Sequence, residues 1–334
     1  MTGELPARHE FSVDGGCTRE REAAARAPGA GEVLVEVSGS ALGAQPGAEI
    51  AGRVVAAGEA ADEWLGRRVV VPRLLPCGEC RFCRRGNVFA CPSRAARGGV
   101  ATHETVPARY LLSVEKPLDA GDSWWRWAAL ADAASTPYGA LVRAQVAPGD
   151  LCLVVGGGVR GRFACALARA LGAHAAVLDA DGDRRARAIA AGARFALDGE
   201  TYDADGAREA LRAEARASGI ESATLKVIET TGTAAGRRRA LALLDAGATC
   251  ALLSDGDGGD APAPVDAIAE RQATVVGAAA CHPDLLPELA ALVVRGEVDL
   301  ARETVALPFA ALADALADRR AGRLRELPIL VPAR

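Results

Sequence analysis

Leu151-Cys152-Leu153-Val154-Val155-Gly156-Gly157-Gly158-Val159-Arg160-Gly161 is the stretch that decides the fold. Five apolar residues run into three adjacent glycines, and a helical pattern from Gly161 to Leu171 opens behind them. The order is strand, tight turn, helix. Gly156, Gly158 and Gly161 carry the G-x-G-x-x-G spacing. The first glycine permits the turn, the second lets backbone approach a pyrophosphate, and the third lets helix and strand pack closely. The helix start, at Val159 and Arg160, turns N–H groups and the positive end of the helix dipole toward an anion. Arg160 stands in this loop either to reach a pyrophosphate or an anionic substrate, or to point into solvent.

Three glycines in a row also make an ordinary loop, so the context matters. Asp179 closes the next strand 23 positions beyond Gly156. It reads either as a turn cap or as the carboxylate that grips the adenosine ribose hydroxyls of a dinucleotide. An acid there opposes a 2′-phosphate, which favours NAD(H) over NADP(H). Arg184 and Arg185, close behind, pull the other way.

Outward from this unit, strand-like runs alternate with Ala/Arg-rich helical patterns. The runs are Leu151–Val155, Ala175–Leu178, Thr224–Ile228, Thr249–Leu253 and Thr274–Val276. The helical patterns are Gly161–Leu171, Asp183–Ala191, Asp205–Ala217 and Ala234–Leu244. Such alternation predicts an α/β fold with a doubly wound parallel sheet. Upstream, from Glu32 to Pro117, short β-branched runs (Val33–Val37, Ile50–Val55, Arg68–Val71) are bounded by Gly or Pro and read as a β-rich domain. After Pro283 come two further helical patterns and a terminal apolar run, Leu327–Val331. A length of 334 residues agrees with two cores rather than one.

The net charge of −4 and the absence of a long basic run argue against nucleic acid or an anionic membrane as partner. No uninterrupted apolar stretch is long enough to span a bilayer, and the first residues have no apolar signal-peptide core. Four of the nine cysteines cluster between Cys77 and Cys91, while Cys17, Cys152, Cys165, Cys250 and Cys281 stand singly. That distribution suits a metal site plus buried thiols in a reducing cytoplasm better than a disulfide framework.

Cys77, Cys80, Cys83 and Cys91 form C-x2-C-x2-C-x7-C among residues that do not belong in a core, such as Gly78, Arg81, Arg84, Arg85 and Asn87. Four thiolates so spaced close a tetrahedral shell, the arrangement of a structural zinc, and one Zn2+ per chain is expected.

With both motifs in view, the sequence resembles the zinc-containing alcohol dehydrogenases of the medium-chain dehydrogenase/reductase superfamily. Residues 77–91 look like that family's structural-zinc lobe, and Gly98–Ala108 like the strand pair after it. Ser135-Thr-Pro-Tyr-Gly-Ala-Leu141 is similar to the helix crossing between domains, with Thr136 at the position that packs on the nicotinamide ring. Ile228–Gly232 and Asp245–Leu253 match the far half of the cofactor domain, and Leu307–Leu316 the C-terminal segment. The resemblance implies a GroES-like catalytic domain of residues 1–133 plus 280–334 and a Rossmann cofactor domain of 134–279. It also implies a homodimer or homotetramer acting on a small-molecule substrate. Gly156, Gly158, Val159, Arg160, Gly161, Asp179, Arg184, Thr136 and Leu253 are the expected cofactor contacts.

The pattern breaks at the catalytic zinc. Where the family places a Cys, a His and a later Cys or acid, the matching positions are Leu42, Ala48 and Asp132, and the usual proton-relay hydroxyl is replaced by Ala44. Aliphatic side chains cannot ligate zinc. Glu49 and Asp132 remain as acids with a catalytic or a merely structural role, and Thr136 joins them as a candidate catalytic residue. His103 and His282 have no local partners that would make either a base. Trp124, Trp125 and Trp127 read as packing or as an aromatic wall for a substrate. Without a Lewis acid a simple ketone is harder to polarise by several kcal/mol, so reduction of a conjugated C=C or C=N bond is the leading expectation. The alternatives are an alcohol dehydrogenase with Glu49 or Asp132 in place of metal, and a non-redox enzyme or scaffold on the same fold.

Overall fold

The computed structural model describes residues 5–43, 46–94, 100–118, 121, 123–220, 224–253 and 261–332. Ala44, the lost proton-relay position, therefore lies outside the described residues, as does Gly98. In chain order the strands begin with β1 (Ala7–Asp14), β2 (Cys17–Ala24), β3 (Glu32–Ala41), β4 (Ile50–Ala57), β5 (Arg68–Val71), β6 (Val100–Ala101), β7 (His103–Pro107) and β8 (Leu112–Ser113). A run of 3-10 helix, Trp124–Ala131, leads to α1 (Ser135–Arg143), β9 (Leu151–Val155), α2 (Val159–Ala170), β10 (His174–Asp179) and α3 (Gly182–Ala191). Then follow β11 (Phe195–Asp198), α4 (Ala204–Ala217), β12 (Leu225–Glu229), α5 (Ala234–Ala242), β13 (Thr249–Leu253), α6 (Val265–Glu270) and β14 (Thr274–Ala278). The chain closes with α7 (Leu286–Val294), β15 (Thr304–Pro308), α8 (Leu312–Arg320) and β16 (Leu327–Val331).

Two compact units result. The first comprises Met1–Asp132, His282–Val294 and Leu300–Arg334, the second Ala133–Cys281 and Arg295–Asp299. The first unit carries a sheet in the order β15-β16-β3-β4-β5-β8, with β7 also paired to β3. Its core gathers Val33, Val35, Val37, Ile50, Val54, Val69, Val71 and Leu75 with Phe309 and Leu312. Each such aliphatic group contributes about 1.5–3 kcal/mol when withdrawn from water. Leu42 belongs to that same core, at 1% exposure.

The second unit is a six-stranded, wholly parallel sheet in the order β11-β10-β9-β12-β13-β14. Numbered from β9, this is the 3-2-1-4-5-6 winding, whose order reverses between β9 and β12; ligands bind outside the carboxyl ends of the strands at such a point. The central strand β9 is buried at all five residues, as a strand covered on both faces must be.

The hairpin of β1 and β2 has no counterpart in the sequence reading. β1 sets Phe11 and Val13 against Arg8, Glu10, Ser12 and Asp14, but His9 interrupts that apolar face and β2 is charged on both faces, so the alternation is short. The turn that joins them uses Gly15 (φ +56°) and Gly16 (φ +80°), a pair of left-handed residues that suits a two-residue hairpin.

Candidate cofactor, metal and substrate sites

Gly156 adopts φ +102°, and a side chain there would strike Thr231. A Cβ on Gly161 would stand 1.8 Å from the Gly156 carbonyl oxygen, so helix α2 is seated directly on the turn. Gly158, in contrast, faces open space: nothing lies within 4 Å of where its Cβ would be. It is the N-cap of α2 and brings no side-chain cap to the first turn of that helix. A buried dinucleotide phosphate fits such a cradle.

Asp179 ends β10 as the sequence requires. Its Oδ2 accepts the Gly157 N–H at 2.6 Å and its Oδ1 accepts the Asp181 N–H at 2.8 Å. Arg184 lies 4.0 Å from the same carboxylate and packs against Gly157. Arg185 donates to the Asp179 carbonyl and pairs with Asp198 at 3.0 Å, which turns it away from the Asp179 carboxylate. Leu253 ends β13 and Thr136 stands in the first turn of α1; both are buried. At the switch point, Thr230 Oγ1 donates to the carbonyls of Val155 and Gly156. Glu229 Oε1 accepts the N–H groups of Thr231 and Gly232. Sequence reasoning missed Arg162, whose side chain is 2% exposed and whose Nη1 donates to the Gly157 carbonyl at 3.1 Å.

The four lobe sulfurs lie within 4.8 Å of one another. Cys80–Cys83 and Cys77–Cys91 are 3.5 Å apart, Cys77–Cys83 3.9 Å. Four sulfurs at the usual zinc bond length of about 2.3 Å stand roughly 3.8 Å apart in a tetrahedron, so the lobe fits the ion without rearrangement. Backbone N–H groups of Glu79 and Cys80 lower the Cys77 pKa to about 6, toward the thiolate a metal needs, while burial raises that of Cys83 to about 12. Arg109 holds the lobe by donating to the Cys77 carbonyl at 2.7 Å, and its guanidinium fills the space beside Gly78, a left-handed residue at φ +76°.

In the first unit, the positions that the resemblance aligns with the catalytic metal are Leu42, Ala48 and Asp132. Leu42 and Ala48 are buried at 1% and 2% exposure. Glu49 and Asp132 are both fully buried. The Glu49 carboxylate occupies the space that a side chain at Gly43 would need. Ile50 pairs with Val71; Glu49 immediately precedes β4, and Arg73 follows two residues beyond the end of β5. Arg73 closes the group: its N–H reaches the Ala131 carbonyl at 3.3 Å and its Nη1 lies 3.1 Å from Asp132 Oδ1. Arg73 was not legible in the sequence; its only signal is its place after Pro72, at the end of β5.

The tryptophans are committed elsewhere. Trp127 is buried and donates its indole N–H to the Lys116 carbonyl, while Arg68 stacks on Trp124 and Arg126 on Trp125, each 4.3 Å from the ring centre. His103 is half-buried on β7 with its pKa lowered by burial, and His282 Nδ1 accepts the Asp284 N–H.

A parallel sheet wound about a glycine-rich phosphate loop, with a β-rich unit carrying a four-thiol lobe, defines a two-unit dinucleotide-dependent class. The alcohol dehydrogenase GroES-like domain model matches residues 25–116, and the zinc-binding dehydrogenase model matches residues 161–295. L-galactonate-5-dehydrogenase of Escherichia coli (strain K12) is 28% identical over 275 residues, 80% of this chain and 77% of that protein. Erythritol/L-threitol dehydrogenase of Mycolicibacterium smegmatis is 36% identical over 124 residues, 34% of this chain and 33% of that protein. The crystal structure of galactitol-1-phosphate dehydrogenase from Escherichia coli is similar over 97% of this chain and 100% of that one, with a TM-score of 0.83 at 21% identity. The chain belongs to the medium-chain dehydrogenase/reductase superfamily, among its zinc-type alcohol dehydrogenase-like members, and is an NAD(P)-dependent oxidoreductase of that type. Among the described residues no helix is long and apolar enough to cross a membrane.

Proposed function

We propose that this oxidoreductase uses NAD(H), works without a metal at its reaction centre, and reduces a conjugated C=C or C=N bond of a small metabolite. One observation carries the reading. Leu42 is part of an aliphatic core, Ala48 is buried beside Glu49, and the acid that remains, Asp132, faces the Arg73 guanidinium at 3.1 Å. Two carboxylates, one of them already engaged by a cation, make a poor zinc shell.

The nicotinamide, when bound, supplies the hydride. The second unit would bind the dinucleotide through Gly156–Gly161, Asp179, Arg184 and Leu253, with Thr136 against the ring. A carboxylate offers about four acceptor sites. Asp179 spends two on the Gly157 and Asp181 N–H groups, which leaves two for the vicinal hydroxyls of a ribose. In the first unit, Glu49 and the Arg73–Asp132 pair would orient a polar substrate. An acceptor that spreads negative charge over a conjugated system needs less electrophilic help than an isolated ketone, which is why this substrate class fits a centre without a Lewis acid. The polyol dehydrogenases among the relatives favour a second reading, alcohol oxidation with Glu49 or Asp132 as base.

Steady-state assays of the zinc-loaded protein separate the two. An α,β-unsaturated ketone or imine should be reduced with kcat/KM at least about tenfold above the matching saturated ketone, a difference of ~1.4 kcal/mol, and unaffected by chelator. Efficient oxidation of polyols, or equal rates on both ketones, would overturn the proposal. The working form is proposed to be a homodimer or homotetramer, with the exposed edge strand β14 as a joining surface; sedimentation showing only monomer at working concentration would end that part.

A further inference from the structure

We infer that Arg162 is a positioning residue for the cofactor's diphosphate, an inference that rests on the dinucleotide reading above. A single residue is decisive. Gly157 is held at both ends: its N–H by the Asp179 carboxylate at 2.6 Å, its carbonyl by the Arg162 guanidinium at 3.1 Å. The Arg162 backbone N–H takes the next carbonyl, that of Gly158, at 2.9 Å. A trans peptide directs its C=O and the following N–H to opposite sides. With the Gly157 and Gly158 carbonyls both drawn to Arg162, the N–H groups of Gly158 and Val159 are turned the other way. The turn has open space beside it, since a Cβ on Gly158 would meet nothing within 4 Å. Arg162 thus aims, from within the protein, two donors that a diphosphate would accept.

The brace matters because Gly156, Gly157 and Gly158 are consecutive. Glycine loses more conformational freedom on ordering than any other residue, so an unbraced run of three would be ordered by the ligand at the expense of affinity. Hydrogen bonds to charged groups are roughly twice as strong as neutral ones, and Gly157 has one on each of its flanking peptides. The guanidinium is buried, so it acts on the ligand through the loop rather than by touching it.

The test compares two ligands by calorimetry: ADP-ribose, which has the diphosphate, and adenosine, which shares the base and ribose but lacks it. Arg162→Met should raise the Kd for ADP-ribose and for NADH roughly ten- to a hundredfold, and leave that for adenosine within about twofold. Arg162→Lys, which keeps the charge on a compact ammonium but loses the planar fork, should fall between Met and the native residue. If Arg162→Met does not fold, the lysine variant decides alone. Native-like ADP-ribose affinity in the variants, or equal losses for adenosine and ADP-ribose, would overturn the inference. Failure of the unaltered protein to bind ADP-ribose at all would instead sink the cofactor reading on which it stands.

Discussion

Asp179 accepts two backbone N–H groups and keeps two acceptor sites, while Arg184 stands 4.0 Å from it with more than a third of its side chain exposed. On the proposed dinucleotide reading, those two residues would pull the cofactor preference in opposite senses. A carboxylate accepts ribose hydroxyls and repels a phosphate; a guanidinium welcomes the phosphate. The buried, doubly anchored carboxylate should prevail, so NAD(H) should bind at least about tenfold more tightly than NADP(H), and Asp179→Ser should erase most of that gap. Tryptophan-fluorescence titration of both cofactors checks this; a native preference for NADP(H) that the substitution leaves alone would refute it. Asp179 was readable because a strand-ending acid at a set distance from a glycine loop is a rare combination. Arg162 and Arg73 were not. Of the 39 basic residues only Lys116 and Lys226 are lysine, leaving 37 arginines, and in such a chain no single arginine stands out. Which of them is buried depends on what packs around it.

Helix α3 shows how an element serves the site. It starts where Asp181 accepts the N–H groups of Asp183 and Arg184, a side-chain cap that fixes the first turn and, with it, the backbone of Arg184 that presses on Gly157. Asp181→Ala should cost about 1 kcal/mol, lower the melting temperature by roughly 2–4 °C, and weaken dinucleotide binding through the loosened Gly157 contact. Thermal unfolding followed by circular dichroism, paired with a cofactor titration, reads both; an unshifted melt would mean that the cap contributes nothing. Elements of this kind were largely legible. β5, β9, β13 and β16 fall at the residues the apolar runs mark, because their patterns are dictated by burial. The capped helices begin within two residues of their sequence signals. The β1–β2 hairpin escaped notice because its apolar face is only Phe11 and Val13 of β1, while ion pairs such as Arg21–Glu10 mark the rest of its pairing.

At the scale of the molecule, the two kinds of metal position part company. The four-thiol lobe was readable from spacing alone, and the structure gathers its sulfurs at distances that suit zinc. The other position was readable only through a resemblance, as a set of missing ligands. Elemental analysis should therefore return about one zinc per chain, and Cys80→Ser should bring it near zero and lower the melting temperature. A count near two would mean that other groups rebuild a second site, and the metal-free chemistry would have to be abandoned. The distribution of sulfur provides a second route to the same number. Cys17 is exposed on β2, whereas Cys152, Cys165, Cys250 and Cys281 are buried, and burial raises the pKa of Cys250 to about 12 and that of Cys152 further still. Alkylation needs an accessible thiolate. A maleimide should therefore find one thiol per chain, Cys17, while the lobe holds its ion, and further thiols, Cys77 and Cys80 first, once a chelator has removed it, so that the folded chain reports its own metal occupancy through its count of reactive sulfurs.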